Sequence, residues 1–405
     1  MSNDATLRRA LSLPLLTFYG LGTILGAGIY VLVGEIAGVA GMLAPVAFVV
    51  ASLIAGFTAF SYAELASRIP QSAGEAAYLQ EAFASRWLAG VVGWGVVTAG
   101  IISAATIANG FVGYLQTFVA VPDTAAIVGS LLVMGGLAAW GVGESVVAAS
   151  LVTLVEVLGL ILVIALSGHH LADVPARWGE LTPSLSWSAW SSVMLGGYLA
   201  FFAFIGFEDI VNMAEEVKQP RRNLPRAIII CLVVSVLLYV IIALIAVLAI
   251  PPESLAGQKA PLTKILSEHG TWAESTIGVV SMVAVINGAL VQIIMATRVL
   301  YGMAGQGIAP RSFGLVNRRS QTPLRATMAV TAVIIVLAVG FPLVSLAEAT
   351  STVTLVVFAL VNAALWKIKR RGGNSDGAVC YHLSIPVVGC LLCVFCLLLH
   401  LLNGI

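Results

Sequence analysis

Charge is scarce in this sequence. Only 10% of its 405 residues are Asp, Glu, Lys or Arg, against roughly 25% in a soluble domain. With 60% hydrophobic residues and a mean hydropathy of +1.02, a soluble globular protein is excluded. A net charge of +1 gives no case for nucleic-acid binding. Cysteine is sparse too: Cys231, Cys380, Cys390, Cys393 and Cys396 imply no disulfide framework. The last three recur every third residue in an apolar stretch. They read as small apolar filling, because a metal site also needs polar partners around its ligands. A cleaved leader is not expected. Arg8-Arg9 precede an apolar run that continues to about Ala40, longer than the roughly 7–15 residues of a signal core. No nucleophile–base pair or ligand set marks an enzyme, and no ring of charges or filter motif marks a channel.

What the sequence has is long apolar runs. About 20 apolar residues cross the hydrocarbon of a bilayer, and by that ruler about eleven helices run near 15–38, 41–66, 88–119, 124–141, 146–167, 188–213, 226–250, 275–304, 325–345, 347–367 and 382–403. The expected class is an all-α polytopic membrane protein, with no separate soluble domain. If the N-terminus is inside, all 20 Lys and Arg residues except Arg177, Lys259 and Lys264 fall on the inner side. The inner set includes Arg8, Arg9, Arg298, Arg318 and Arg319. That is a strong positive-inside bias, and an odd helix count then puts the C-terminus outside.

Two spans carry breakers at membrane depth. Gly26 and Gly28 lie mid-way along the first, in Thr23-Ile24-Leu25-Gly26-Ala27-Gly28-Ile29. Each Gly weakens a helix by about 1 kcal/mol relative to Ala. Non-helical backbone is tolerated at that depth only inside protein or along a cavity. The sixth span reads Phe204-Ile205-Gly206-Phe207-Glu208-Asp209. Carboxylates inside a span cost several kcal/mol unless wet, paired or at a helix end. A second break, with Glu208 and Asp209 in the first turn of the restarted half-helix, answers that cost through the helix dipole. Broken helices opening two groups of five, entering from opposite sides, form the pattern of an inverted repeat with a site at mid-membrane. The expected division is a tail over 1–14, a first repeat over 15–168, a second over 186–368 and a further helix within 377–405. Half-helix N-termini offer N–H groups to a carboxylate, and half-helix C-termini offer carbonyls to an ammonium. An α-amino acid carries both groups on one carbon.

Several stretches resemble the amino acid–polyamine–organocation family of secondary transporters. They are Gly26-Ala27-Gly28-Ile29-Tyr30, Tyr62-Ala63-Glu64-Leu65 with Arg68-Ile69-Pro70, Phe204-Ile205-Gly206-Phe207-Glu208, Ala214-Glu215-Glu216-Val217-Lys218-Gln219-Pro220 through Arg226, and Thr297-Arg298-Val299-Leu300-Tyr301 through Gly307. Each is weak alone, but their order is specific. The resemblance implies the five-plus-five fold and transport of L-amino acids across the cell membrane. Ile24, Gly26, Ala27 and Gly28 would hold the substrate carboxylate. Phe204, Ile205 and Phe207 would offer backbone to the amino group and walls to the side chain, and Phe202 would close the outer side. For the phenylalanines the alternative is ordinary helix packing. Two departures stand out. Many proton-coupled bacterial members keep a lysine in the fifth span, where this chain has Glu156, and most members have twelve spans.

Glu156 is the leading ion-coupling candidate, because an isolated intramembrane carboxylate is a functional hypothesis by default. It could load and release a proton or hold Na⁺, with Ser281 as a partner; the alternative is a permanently protonated Glu bonded to a neighbouring helix. No cofactor is implied beyond that coupling ion. Glu208 could cap its half-helix or act in gating and pH sensing. His169 and His170 read as a solvated loop, since adjacent loop residues chelate poorly and no Cys completes a site. Ser103, Thr106 and Asn109 read as glue between helices. The expected partners are a small amino acid, probed first as a neutral one, and the lipid bilayer, with no nucleic acid and no obligatory protein partner. A polyamine or cationic amino-acid transporter is the close alternative, and a sensor without flux is the alternative of another class.

Overall fold

The structure, a computed structural model, describes residues 9–26, 28–71, 74–141, 146–317, 320, 322–372 and 377–402. Ala27, Arg8, Arg318 and Arg319 lie outside the described residues. Among these residues there is no sheet, only a parallel bridge between Leu11 and Val217. The helices are α1 Leu13–Leu25, α2 Gly28–Ala40, α3 Ala44–Arg68, α4 Gly74–Phe83, α5 Arg86–Leu115, α6 Asp123–Trp140 and α7 Val146–Ser167. After them come α8 Trp187–Phe201, α9 Pro220–Ala249, α10 Thr271–Gly305, α11 Leu324–Gly340, α12 Leu343–Arg370 and α13 Ser384–Leu402. Among the described residues nine helical stretches are long and apolar enough to cross a membrane. The first, Leu13–Arg68, contains α1, α2 and α3, and Leu324–Gly340 is a shorter apolar helix.

Local chemistry sets the ends. Pro14 stands in the first turn of α1 and Pro220 in that of α9, where the missing N–H costs nothing. The Ser85 and Ser186 hydroxyls accept from Leu88 N–H and Ala189 N–H, each at 3.3 Å, and so cap α5 and α8. Gly141 closes α6 at φ +89°, a left-handed end that glycine takes freely. α9 begins at Pro220, earlier than the apolar run alone indicates, and carries Pro225 inside its first turns.

The outer faces fit lipid. Leu132, Val133, Leu151, Val336 and Leu391 are exposed, as an apolar solvent requires. Trp87, Trp140, Trp187 and Trp272 are exposed at helix ends, the position of an interfacial aromatic belt. Inside, small residues let backbones approach. A side chain at Gly110 would collide with Val31, and one at Gly196 with Ala40. Polar groups bridge helices where they are buried. Asn109 donates to Ala338 O at 3.2 Å and ties α5 to α11. Asn362 donates to Thr58 Oγ1 at 3.0 Å and accepts from Ser61 at 2.7 Å, tying α12 to α3.

Candidate substrate site

The first break falls at the two glycines. α1 ends at Leu25 and α2 resumes at Gly28, and the Gly26 N–H still reaches Gly22 O at 3.3 Å. A Cβ on Gly28 would stand 2.3 Å from Ala203 Cα, so only glycine admits this approach. The second break follows α8. Phe202–Phe204 form one tight 3-10 turn, Ile205 is extended, and Gly206 takes φ +126°. A Cβ there would stand 2.6 Å from Thr23 O. The two breaks are therefore pressed together, Gly28 on Ala203 and Gly206 on Thr23. The Thr23 hydroxyl joins them, 2.8 Å from Gly20 O and 2.9 Å from Gly206 O. Breaking a helix strands backbone groups that must be bonded elsewhere. Tyr239 donates to Ile24 O at 2.8 Å, and Glu208 accepts from Gly206 N–H at 2.8 Å. The chain after the second break is a 3-10 helix over Phe207–Met213. Glu208 and Asp209 lie in its first turn, as expected of the restarted half-helix; Glu208 bonds back to Gly206 N–H and Asp209 N–H bonds Gly206 O at 3.2 Å, which tightens the turn.

Beside the second break lies a small cavity of about 30 Å³. Ile205, Glu208 and Asp209 form one wall, and Gly100, Gln292 and Thr354 face them. Gln292 donates to Asp209 at 3.2 Å. Glu75, Val96 and Met295 line both this cavity and a larger vestibule of about 480 Å³. The vestibule wall includes Glu216 and Arg298, and Glu216 O pairs with Leu11 N–H of the N-terminal segment. Glu75 stands at the junction, 4% exposed. It lies on α4, outside the membrane-crossing stretches, and accepts from Tyr62 at 3.2 Å. Burial pushes its carboxyl up from the ordinary 4.5 to about 7, and the Tyr62 hydrogen bond opposes that rise.

Of the residues expected to bind substrate, Ile205 lines the cavity. Ile24, Gly26 and Gly28 sit in the apposed breaks but not in the cavity wall. Phe204 stacks against Tyr239 and Phe48, at ring separations of 5.2 and 6.4 Å. Phe207 packs on Phe358 and Tyr62, at 5.3 and 5.6 Å. Phe202 is buried, and its carbonyl accepts from Ile205 N–H. All three phenylalanines are buried and absent from the cavity lining. Glu156 is fully buried on α7 beside the first break. Its Oε1 accepts from Asn287 at 2.9 Å, Oε2 has no partner, and its backbone carbonyl accepts from Tyr30. No hydrogen bond joins Ser281 to Glu156; Asn287 of the same helix takes the role expected of Ser281. Glu75, Asp209, Gln292 and Asn287 escaped the site reading. For Asn287 and Gln292 the signal was present, as amides inside an apolar run. For Glu75 it was absent, since a loop carboxylate looks solvated.

The amino acid permease family model matches residues 11–404. The branched-chain amino acid permease BcaP of Bacillus subtilis is 29% identical over 425 residues, covering all of this chain and 90% of that protein. Cationic amino acid transporter 3, mitochondrial, of Arabidopsis thaliana is 31% identical over 382 residues, covering 89% of this chain. The chain spans 62% of that transporter's length and 60% of the human cationic amino acid transporter 4. An uncharacterized transporter of Mycobacterium tuberculosis is 31% identical over 393 residues, covering 96% of this chain and 85% of its own. With helices that cross a membrane many times and a family match over nearly its whole length, the chain belongs to the amino acid permeases of the amino acid–polyamine–organocation family, a transporter of small molecules within the bilayer and not an enzyme.

Proposed function

We propose that the protein is a secondary active transporter that moves L-amino acids across the cell membrane by alternating access. The observation that carries this reading is the cavity at Ile205, Glu208 and Asp209, which shares Glu75, Val96 and Met295 with the vestibule beside the N-terminal segment. A small site beside a vestibule on one face fits one state of an alternating-access cycle. The face it opens to carries Arg298 and the paired segments at Leu11 and Lys218, so the charge bias makes it the cytoplasmic face. The fold reading is five-plus-five. Counting Leu13–Arg68 as two crossings and Leu324–Gly340 as one brings the nine stretches among the described residues to eleven, with the N-terminus inside and the C-terminus outside. The two breaks then hold matching positions in repeats 15–168 and 186–368. Ile24, Gly26, Ala27 and Gly28 are the proposed carboxylate site, occupied when the apposed breaks part.

Coupling to a proton is supported at Glu156, a buried carboxyl with one oxygen on Asn287 and the other unpartnered. A second reading has its own observation. Among the described residues, three carboxylates, Glu75, Glu208 and Asp209, line the cavity without a Lys or Arg, which favours a cationic substrate. Proteoliposomes loaded alkaline inside test both. Accumulation of labelled leucine, competed by alanine and not by lysine or putrescine, supports a neutral substrate, and the reverse pattern supports a cationic one. Absence of flux for every amino acid, with binding retained, would replace transport with sensing.

A further inference from the structure

Three histidines and a carboxylate meet where two distant loops touch, at the end of the bundle away from the vestibule. The chain leaving α7 turns through Gly168–Asp173, and the chain entering α10 turns through Leu266–His269. The Nε2 atoms of His170, His269 and His169 lie 3.0, 3.2 and 3.9 Å from one oxygen, Glu268 Oε1. We propose that this cluster is a binding site for a divalent transition-metal cation of the zinc class. His169, His269 and Glu268 are its ligands, and His170 orients the carboxylate.

Donor geometry fits first. The ligand atoms of His169, Glu268 and His269 all lie within 4.8 Å of one another. Zinc–nitrogen bonds of about 2.0–2.1 Å put tetrahedral ligand atoms about 3.3 Å apart, so the observed spacings bracket that edge. The tautomers fit next. His169 Nδ1 lies 3.0 Å from Leu166 O, and only a protonated Nδ1 can donate to that carbonyl. In the neutral ring this leaves the Nε2 lone pair facing an anionic oxygen, an arrangement that a cation between them resolves. Backbone-anchored imidazoles and hydrogen-bonded carboxylates are the usual supports of metal ligands. The rings are held as well, with His169 and His170 centroids 4.1 Å apart. Access is open, since the His169 and Glu268 side chains are 59% and 44% exposed. Two imidazoles and one carboxylate favour zinc, nickel or copper over magnesium or calcium. Neighbouring histidines on one loop chelate poorly by themselves, and the fold overcomes this by delivering Glu268 and His269 from another loop. A bound ion would staple α7, which carries Glu156, to α10, which carries Asn287. The site stands on this geometry alone and not on the transport reading.

The test is calorimetric titration of ZnCl₂ into the full chain, purified in detergent through a tag without histidine, with MgCl₂ in parallel. One saturable zinc site is expected, with no magnesium binding and a raised melting temperature reversed by chelator. His269→Ala and Glu268→Gln should each weaken zinc at least tenfold, while His382→Ala should leave it unchanged. X-ray absorption on the zinc-loaded, unsubstituted protein should show an imidazole-containing nitrogen and oxygen shell near 2.0 Å, a readout that needs no variant to fold. Lack of saturable binding, binding unchanged in a His169→Ala/His269→Ala double variant, or a shell without imidazole would each overturn the site.

Discussion

Glu156 and Glu75 are both buried carboxyls, yet they make different demands. Glu156 shares one oxygen with Asn287 and leaves the other unpartnered, which suits a group that must exchange a proton and not one that anchors a fold. If it carries the coupling proton, Glu156→Gln keeps size and hydrogen bonding but removes titration. Gradient-driven uptake in proteoliposomes should then fall at least about tenfold, or 1.4 kcal/mol, while substrate exchange persists. Unchanged accumulation in the variant would remove Glu156 from coupling. Glu75 makes its prediction through stability. Its folded pKa of about 7 lies above the ordinary 4.5, so the folded state binds the extra proton between those values. Stability from this group is complete below about pH 4.5 and is lost as pH rises through 7. The shift corresponds to about 3 kcal/mol at most. Between pH 5 and pH 8, wild type should therefore lose more melting temperature than Glu75→Gln, and parallel melting curves would count against the burial account.

At the scale of elements, the two broken helices are one structure. Gly206 sits at φ +126° with Thr23 O where its side chain would be, and Gly28 rests on Ala203. Alanine at Gly206 is strained in backbone and collides with backbone, so the cost should exceed about 1 kcal/mol. A lowered melting temperature for Gly206→Ala is the expected result, with Gly136→Ala, in open space inside α6, unchanged or raised as the control. The breaks themselves were legible, because paired glycines weaken a membrane helix and carboxylates are costly inside one unless it is interrupted there. What the sequence hid was the winding of the restart after Gly206. Whether Phe207–Met213 wind as α or 3-10 depends on Glu208 reaching back to Gly206 N–H, and periodicity carries no record of that bond. Around the break Phe204 and Phe207 enter aromatic clusters, while Asp209 and Gln292 line the cavity.

Across the whole molecule, a buried ion cluster holds the ends of α3 and α12 together. Glu64 on α3 is fully buried and accepts from Arg68 at 2.7 Å and from Lys369 of α12 at 2.8 Å. Tyr381 N–H, just before α13, also donates to Glu64 at 3.0 Å. Removing one partner of a buried pair leaves a charge uncompensated and costs about 3–5 kcal/mol. Lys369→Met should lower the unfolding midpoint accordingly, and a change within error would show that Arg68 and the Tyr381 amide suffice. The proposed orientation makes a second whole-molecule prediction. Cys380 is the exposed cysteine and lies between α12 and α13. A membrane-impermeant maleimide should label it in inside-out vesicles and not in right-side-out cells, and the opposite labelling would invert the topology.

The sequence by itself determined the solvent, the helices and the family. Scarce charge and 20-residue apolar runs leave only a bilayer, where every backbone group must be bonded within its own segment, and the ordered motifs mark the permease family. Local chemistry also announced the breaks, because a glycine's effect on a helix needs no distant partner. The tertiary structure decided everything that depends on which helices touch: that Asn287 and not Ser281 meets Glu156, that Glu75 closes the floor of the cavity, and that His169 finds Glu268 and His269. Those pairings join residues scores to hundreds of positions apart, and apolar helices of nearly uniform surface carry no code for their neighbours. The second break at Gly206 could be read from the chain, but the backbone of Thr23 against it could only be seen in the fold.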